Sequence, residues 1–344
     1  IATKATRMNR AAQGRPIMEF GSRRAQSYDA AMLGARAAYI GGCSSTACVI
    51  ADQYFGIPAV GTMAHSWVQV FPSEYEAFRA YAEVYPASCT LLVDTYDVIH
   101  SGLPNAIRVF NEVVVPSGNR PKGVRIDSGD IAYLSKKARA MLDEAGFPDC
   151  GIVASNSLDE YIIRDLLIQG AQLNSFGVGE NLITSRSEPV FGGVYKLAAV
   201  EENGVLTPRI KISESPEKIT TPGFKNLYRL YDRTTGMAAA DYITLRDEVM
   251  DNAKPLTLFD PDTIWKRKRL IDFDAVCLLE PIYENGARVY HSPSLPDIQA
   301  FCKAEMDRMW DELKRFENPH RYYVDLSEKL WLMKNELLQK ASIK

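Results

Sequence analysis

The chain has 344 residues, 46% of them hydrophobic and 24% charged, with a formal net charge of −3. That length buries a sizeable core in one large domain or two of ordinary size, and the composition excludes a disordered chain. The slight negative balance gives no electrostatic reason to expect nucleic acid as a partner, and without a run of 18 apolar residues no transmembrane helix is indicated.

The first stretch, "IATKATRMNRAA", carries Ile1, Ala5, Met8 and Ala12 at helical spacing and predicts an amphipathic helix. It begins like the middle of a longer chain, so a fragment or processed product is expected. From about residue 15 to 200, short apolar runs alternate with amphipathic segments: "PIMEFGSRR", "IPAVGTMAHS", "TLLVDTYD", "GVRIDSGD", "GIVASNS" and "NSFGVGEN" read as strands. Between the later ones, Ile131, Leu134, Ala138, Met141, Leu142 and Ala145 mark one helical face. Leu158, Ile162, Leu166 and Leu167 mark another, and Gly146 and Gly170 stand where those helices should stop. Repeated strand–helix units with fully apolar strands imply a parallel sheet covered by helices. Polar residues gather just after each apolar run, on more strand ends than the crevice of a doubly wound sheet recruits, so the expected fold is α/β, an irregular (β/α) barrel.

After residue 200, "GVLTPRIKIS", "GFKNLYRLYD" and "MAAADYITLRD" read as more antiparallel strands. A helix with Ile298, Cys302, Met306, Met309, Leu313 and Phe316 on one face follows, then a short strand and a last helix that Ser327 caps. Residues 1–200 are therefore expected to form the barrel with the site. Residues 201–344 should hold remaining barrel elements and part of a smaller, β-rich α+β domain. The six cysteines show no C-x-x-C spacing and read as reduced thiols of a cytoplasmic protein.

In "GVRIDSGD", Arg125, Asp127, Ser128 and Asp130 offer a guanidinium, two carboxylates and a hydroxyl within six residues. Arg125 and Asp127 alternate so that both point to the same face of a strand end. Carboxylates there hold ribose hydroxyls, ligate Mg²⁺ or stabilise positive charge developing on a sugar carbon; alternatively, Asp127 or Ser128 is the N-cap of the next helix. Gly177 and Gly179 in "FGVGENL" form a Gly-x-Gly turn of the kind that exposes backbone amides to phosphate, equally a plain strand-to-helix turn. Arg23, beside Arg24 in "EFGSRRAQ", suits a bidentate clamp on carboxylate or phosphate, and Lys196 and Lys211 in strand-like runs call for an anionic partner. His65, in "GTMAHSW", has no G-x-S-x-G serine and no H-x-x-x-H partner. A hydrolase or zincin role is poorly supported; general acid/base, hydrogen-bond donor, phosphoryl acceptor and a purely structural histidine stay open.

Taken together, "EFGSRRAQ", "AAYIGG", "GTMAHSW", "LLVDTYD", "GVRIDSGD", "ASNSLDE", "FGVGENLITS", "VYKLAAVE", "KISESPEKITTPG" and "NPHRYYVDLSEKL" resemble the nicotinate phosphoribosyltransferase family in order and in extent. The resemblance implies a type II phosphoribosyltransferase barrel that joins nicotinate to 5-phosphoribosyl-1-pyrophosphate for NAD synthesis. It also implies coupling to ATP through a phosphohistidine, with Mg²⁺ required. On this resemblance His65 matches the phosphorylated histidine and Arg23 the residue that meets the pyridine carboxylate. Asp97, Arg125 and Asp127 flank substrate and ribose, with Ser128 and Asp130 close by. Ser155, Asn156, Gly177 and Gly179 form phosphate-binding turns, and Lys196, Lys211 and Arg186 supply positive charge.

The resemblance further implies a homodimer, and an N-terminal family segment that this chain lacks and that a separate fragment would supply. Ser44 falls near the position where the nicotinamide-using relative carries a carboxylate, which would repel nicotinate. The alternatives are a nicotinamide or quinolinate phosphoribosyltransferase, or a truncated non-catalytic subunit of the same fold.

Overall fold

The computed structural model describes residues 1–342, which fall into two compact units. One takes residues 1–191 with 294–303; the other takes 192–293 and 304 onward.

In the first unit, β1 (Ile17–Glu19), β2 (Ser45–Thr46), β3 (Thr90–Leu92), β4 (Gly123–Ile126), β5 (Gly151–Ala154) and β6 (Ser175–Val178) form one sheet. Its order is β2-β1-β6-β5-β4-β3, and every pairing is parallel. The last of these strands in the chain lies beside the first, which gives an α/β barrel sheet left open between β2 and β3. The strands are buried as their apolar sequences require: Ile17, Leu91, Val124, Ile126, Ile152 and Phe176 are all 0% exposed.

Around this sheet run α1 (Ala2–Ala11), α2 (Tyr28–Ile40), α3 (Val49–Phe55), α4 (His65–Val70), α5 (Glu74–Val84), α6 (Leu103–Val109), α7 (Ile131–Glu144), α8 (Glu160–Ile168) and α9 (Glu180–Ile183). Side-chain oxygens of Ser27, Ser73, Asp130 and Asp159 accept first-turn N–H groups and start α2, α5, α7 and α8. Gly146 and Gly170 follow α7 and α8 with φ of 83° and 77°, the left-handed backbone that ends a helix. On α8 the buried face centres on Ile163 and Leu166, so Ile162, expected inside, is 41% exposed. Lys4 and Arg7 on α1 meet the buried Glu160 of α8 at 2.7 and 2.8 Å and fasten the two helices together.

One expected strand does not form. "GIPAV" contributes only an isolated parallel bridge from Ala59 to Thr46, because Ile57 alone of its side chains is fully buried. His65 consequently opens the short helix α4 and does not sit at a strand tip.

In the second unit, β7 (Ala199–Glu202) and β8 (Val205–Pro208) form a ribbon, and β9 (Lys225–Asp232) and β10 (Ala238–Leu245) an antiparallel pair. A hairpin of β11 (Leu256–Phe259) and β12 (Arg267–Leu270) precedes β13 (Phe273–Cys277), the small ribbon β14 (Tyr283–Glu284) and β15 (Ala287–Arg288), and β16 (Val324–Leu326). The main sheet runs β13-β9-β10-β16, with β16 parallel to β10. Its core gathers Leu230, Ala240, Tyr242, Leu258, Leu270 and Phe273.

The helix expected to reach Phe316 is shorter: α10 is Leu295–Asp307. Just past its end the Arg308 carbonyl accepts the Ala238 N–H, and the Arg308 guanidinium lies over the Tyr231 ring, so this stretch serves the sheet. In α11 (Glu328–Ser342), Ser327 does accept the Leu330 N–H at the start.

Candidate active site

The C-terminal ends of β3, β4 and β5 and the turn before α4 converge on one cluster. On β4, Val124 and Ile126 point into the core, so the alternating Arg125 faces the other side, where it is 17% exposed. Each of its three guanidinium nitrogens donates a hydrogen bond. Nε donates to Ser155 Oγ at 2.8 Å, Nη1 to Thr62 Oγ1 at 2.8 Å and Nη2 to Asp127 Oδ1 at 2.9 Å, while the group lies 5.6 Å from the Phe20 ring centre. The Ser155 hydroxyl also donates to Asp127.

Asp94, just past β3, reaches across to the next strand end. Its Oδ2 accepts the Asp127 N–H at 2.9 Å and the Ser128 hydroxyl at 2.5 Å, and its Oδ1 is buried without a hydrogen-bond partner. His65 sits above the two carboxylates. Its Nδ1 is 3.2 Å from Thr95 Oγ1, and its Nε2 is 3.6 Å from Asp127 Oδ2 and 3.9 Å from Asp94 Oδ1. The ring is 39% exposed, so it meets solvent on one side and two acidic oxygens on the other.

The loop after β1 is held from beneath. Glu19 is fully buried and accepts the Thr46 hydroxyl at 2.6 Å and the Gly21 N–H. Burial pushes its carboxyl above the usual glutamate range, against the opposing effect of those two donors. Glu19 thereby fixes the short turn Ser22–Arg24, from which Arg23 projects into solvent. At β6, Gly177 is needed because a Cβ there would stand 2.6 Å from the Phe20 ring.

Other residues singled out in the sequence lie elsewhere. Asp97 is half-exposed and caps the turn that follows, accepting the N–H groups of Ile99 and His100 at 2.9 and 2.8 Å. Asp130, not Asp127 or Ser128, is the cap of α7, accepting the Tyr133 N–H at 3.0 Å. The two other residues are thus left to the cluster. Gly177 lies within β6 opposite Met18, and Gly179 alone stands at the strand-to-helix turn. Asn156 lies beyond β5 in the left-handed region, with φ of 91°. Ser44, expected beside the substrate, is exposed at the opposite end of the strands from the cluster, where its hydroxyl donates to the carbonyl of Ile17 at the start of β1 at 3.1 Å. Arg186 donates to Asn181 Oδ1 at 3.3 Å. Lys196 and Lys211 belong to the second unit, where Lys196 Nζ donates to the Lys218 carbonyl at 2.6 Å and Lys211 Nζ to that of Ile212 at 3.3 Å.

Asp94, Thr95 and Thr62 are the members that sequence reasoning passed over. A signal for the first was present: Asp94 is the first polar residue after the apolar run "TLLV", the position where strand-end chemistry starts in a parallel barrel. Among the described residues no group of three or more His, Cys, Asp or Glu side chains is arranged to hold a metal ion alone, and no helix is long and apolar enough to cross a membrane.

Residues 16–234 match the model of the nicotinate phosphoribosyltransferase (NAPRTase) family, and residues 224–334 match that of the nicotinate phosphoribosyltransferase C-terminal domain. The nicotinate phosphoribosyltransferase of Bacillus subtilis is 47% identical over 343 residues, covering 99% of this chain and 69% of that protein. The nicotinate phosphoribosyltransferase pncB2 of Mycobacterium tuberculosis is 36% identical over 334 residues, covering 96% of this chain and 64% of that protein. The crystal structure of human nicotinic acid phosphoribosyltransferase is similar with a TM-score of 0.80 at 27% identity, covering 98% of this chain and 73% of that one. The chain spans about two thirds of the length of the curated relatives it matches.

Proposed function

Since the chain belongs to the nicotinate phosphoribosyltransferase family, we propose that it joins nicotinate to 5-phosphoribosyl-1-pyrophosphate, giving nicotinate mononucleotide and pyrophosphate for NAD biosynthesis in the cytoplasm. The observation that carries this reading is the convergence of His65, Asp94, Asp127 and Arg125 on the C-terminal strand ends of a parallel barrel sheet.

ATP is the proposed co-substrate. With Nδ1 occupied by Thr95, His65 Nε2 is the nitrogen available to attack the γ-phosphorus. An N–P bond forms, the bond to the bridging oxygen breaks, and ADP leaves. In the glycosyl step the pyridine nitrogen bonds to C1 of the ribose as the C1–O bond to pyrophosphate breaks, and water later removes the phosphoryl group from His65 as phosphate. The reacting sugar carbon becomes oxocarbenium-like, and Asp127, held in place by Arg125, Ser155 and the Asp94 contact to its N–H, supplies fixed negative charge toward it. Arg23, exposed at the rigid turn above Glu19, is the proposed partner of the nicotinate carboxylate. Ser128, Ser155, Asn156 and Gly179 lie at strand ends suited to ribose hydroxyls and phosphate.

The residues fit a Mg²⁺ ion, because Asp94 Oδ1 is buried without a hydrogen-bond partner and both it and Asp127 Oδ2 lie within 3.9 Å of the same His65 nitrogen. Those two carboxylates would hold it, and it would neutralise phosphate charge. A homodimer is carried as part of the same reading.

The test is a product assay with nicotinate, nicotinamide and quinolinate, each with and without ATP. Nicotinate mononucleotide formed from nicotinate and stimulated by ATP supports the reading. Turnover of either other pyridine in its place, or of none, overturns it.

A further inference from the structure

The second unit contains a cavity of about 560 Å³ that the proposed reaction does not use. Its size is that of small-molecule sites, and its walls come from β10, the β11–β12 hairpin and β16.

Its inner wall holds Asp325, paired in register with Tyr242 of β10 and 5% exposed. The carboxylate makes no hydrogen bond or ion pair among the described residues, and its oxygens are open to the cavity and able to accept donors from an occupant. Burial, together with the negative charge of Asp260 and against the opposing charge of Arg321, pushes its carboxyl up to about 6. At neutral pH it is therefore mostly an acceptor without partners.

The mouth has the opposite character. Lys266, Arg267 and Lys268 follow one another along the hairpin, and Lys268 Nζ lies 5.5 Å from the Trp310 ring centre. Trp265 lines the same cavity and is 75% exposed, so its ring offers a flat apolar face at the mouth. The Lys266 ammonium makes no hydrogen bond or ion pair among the described residues.

An occupant that satisfies all three features has N–H donors at one end, a flat ring system in the middle and negative charge at the other. We propose that this cavity binds a purine nucleotide, its base presenting N–H groups to Asp325, its rings against Trp265 and Trp310, and its phosphate on Lys266 and Lys268. A carboxylate accepts two parallel N–H groups, so the guanine edge, with adjacent ring and exocyclic donors, suits it better than the adenine edge. A bare phosphate has no N–H donor to offer Asp325 and would engage the mouth alone.

Titration calorimetry of the full chain with guanosine 5′-monophosphate, adenosine 5′-monophosphate and inorganic phosphate tests this. Guanosine 5′-monophosphate should bind at one saturable site, with the same affinity in Arg125→Ala, whose change lies in the first unit. Asp325→Asn and Lys266→Ala should each weaken it by about tenfold or more. The Asp325→Asn change removes a buried charge and so keeps the fold, which circular dichroism checks. Absence of saturable binding, equal affinity in Asp325→Asn, loss of binding in Arg125→Ala, or phosphate binding as tightly as the nucleotide would each overturn the proposal. Loss of catalytic turnover with this binding retained would count against the proposed reaction alone.

Discussion

His65 Nε2 stands 3.6 Å from Asp127 Oδ2, and the carboxylate is immobilised before any substrate arrives. One of its oxygens takes Arg125 and Ser155, and its own N–H is held by Asp94. The ring is equally constrained through Thr95 on the opposite nitrogen. Geometry of this kind is preorganised: the charges are in place and need not reorient during the reaction.

Asp94 is the keystone of that arrangement. Asp94→Asn should reduce kcat by about 10²-fold or more while leaving the fold intact, because the amide keeps the volume and loses the charge. Steady-state kinetics alongside thermal melts checks this; unchanged kcat would remove Asp94 from the site.

Arg23 and Arg125 should separate cleanly. Arg23 is exposed and makes no hydrogen bond or ion pair among the described residues, so Arg23→Ala should raise KM for nicotinate far more than KM for the phosphoribosyl donor, with stability unchanged. Arg125 makes three hydrogen bonds from a mostly buried site, so Arg125→Ala should in addition cost about 1–3 kcal/mol of stability, read from urea unfolding.

Asp325 makes a pH-dependent contribution with a defined sign. Its carboxyl is raised from 3.8 to about 6, so the folded state holds the proton more tightly than the unfolded one. Stability from this group is present below about 4 and is lost as pH rises through 6. Asp325→Asn should therefore gain stability relative to the parent between pH 4 and 6.5, reaching a plateau on the order of 1–3 kcal/mol. A difference that does not change with pH would contradict this.

Close packing of the chain after β3 sets a further test. A Cβ on Gly102 would stand 1.9 Å from the Val93 carbonyl oxygen, whereas one on Gly61 would meet nothing within 4 Å. Gly102→Ala should lower stability by about 3 kcal/mol or more, and Gly61→Ala by less than about 1 kcal/mol, in parallel denaturant titrations.

The barrel was legible because each strand is a short apolar run followed at once by polar residues, and because Gly146 and Gly170 punctuate the helices between them. The cluster was legible only in part. "VDTYD" offers two carboxylates three residues apart, and local chemistry claims the second: Asp97 caps its own turn. Asp94 earns its place through contacts to Asp127 and Ser128, more than thirty residues away, which no local pattern reveals. The same applies at α7, where Asp127, Ser128 and Asp130 can each cap and only the folded chain decides for Asp130. "GIPAV" misled because an apolar run without a full set of backbone partners is only a bridge. The helix expected to reach Phe316 ended early because the Arg308 carbonyl turns to pair with Ala238.

The measurement that bears most directly on the central claim is incubation with γ-labelled ATP followed by mapping of the labelled residue. The account predicts an acid-labile, base-stable phosphoryl group on His65 that is absent in His65→Ala. Label that persists in that variant, or that never appears on the parent chain, would contradict it.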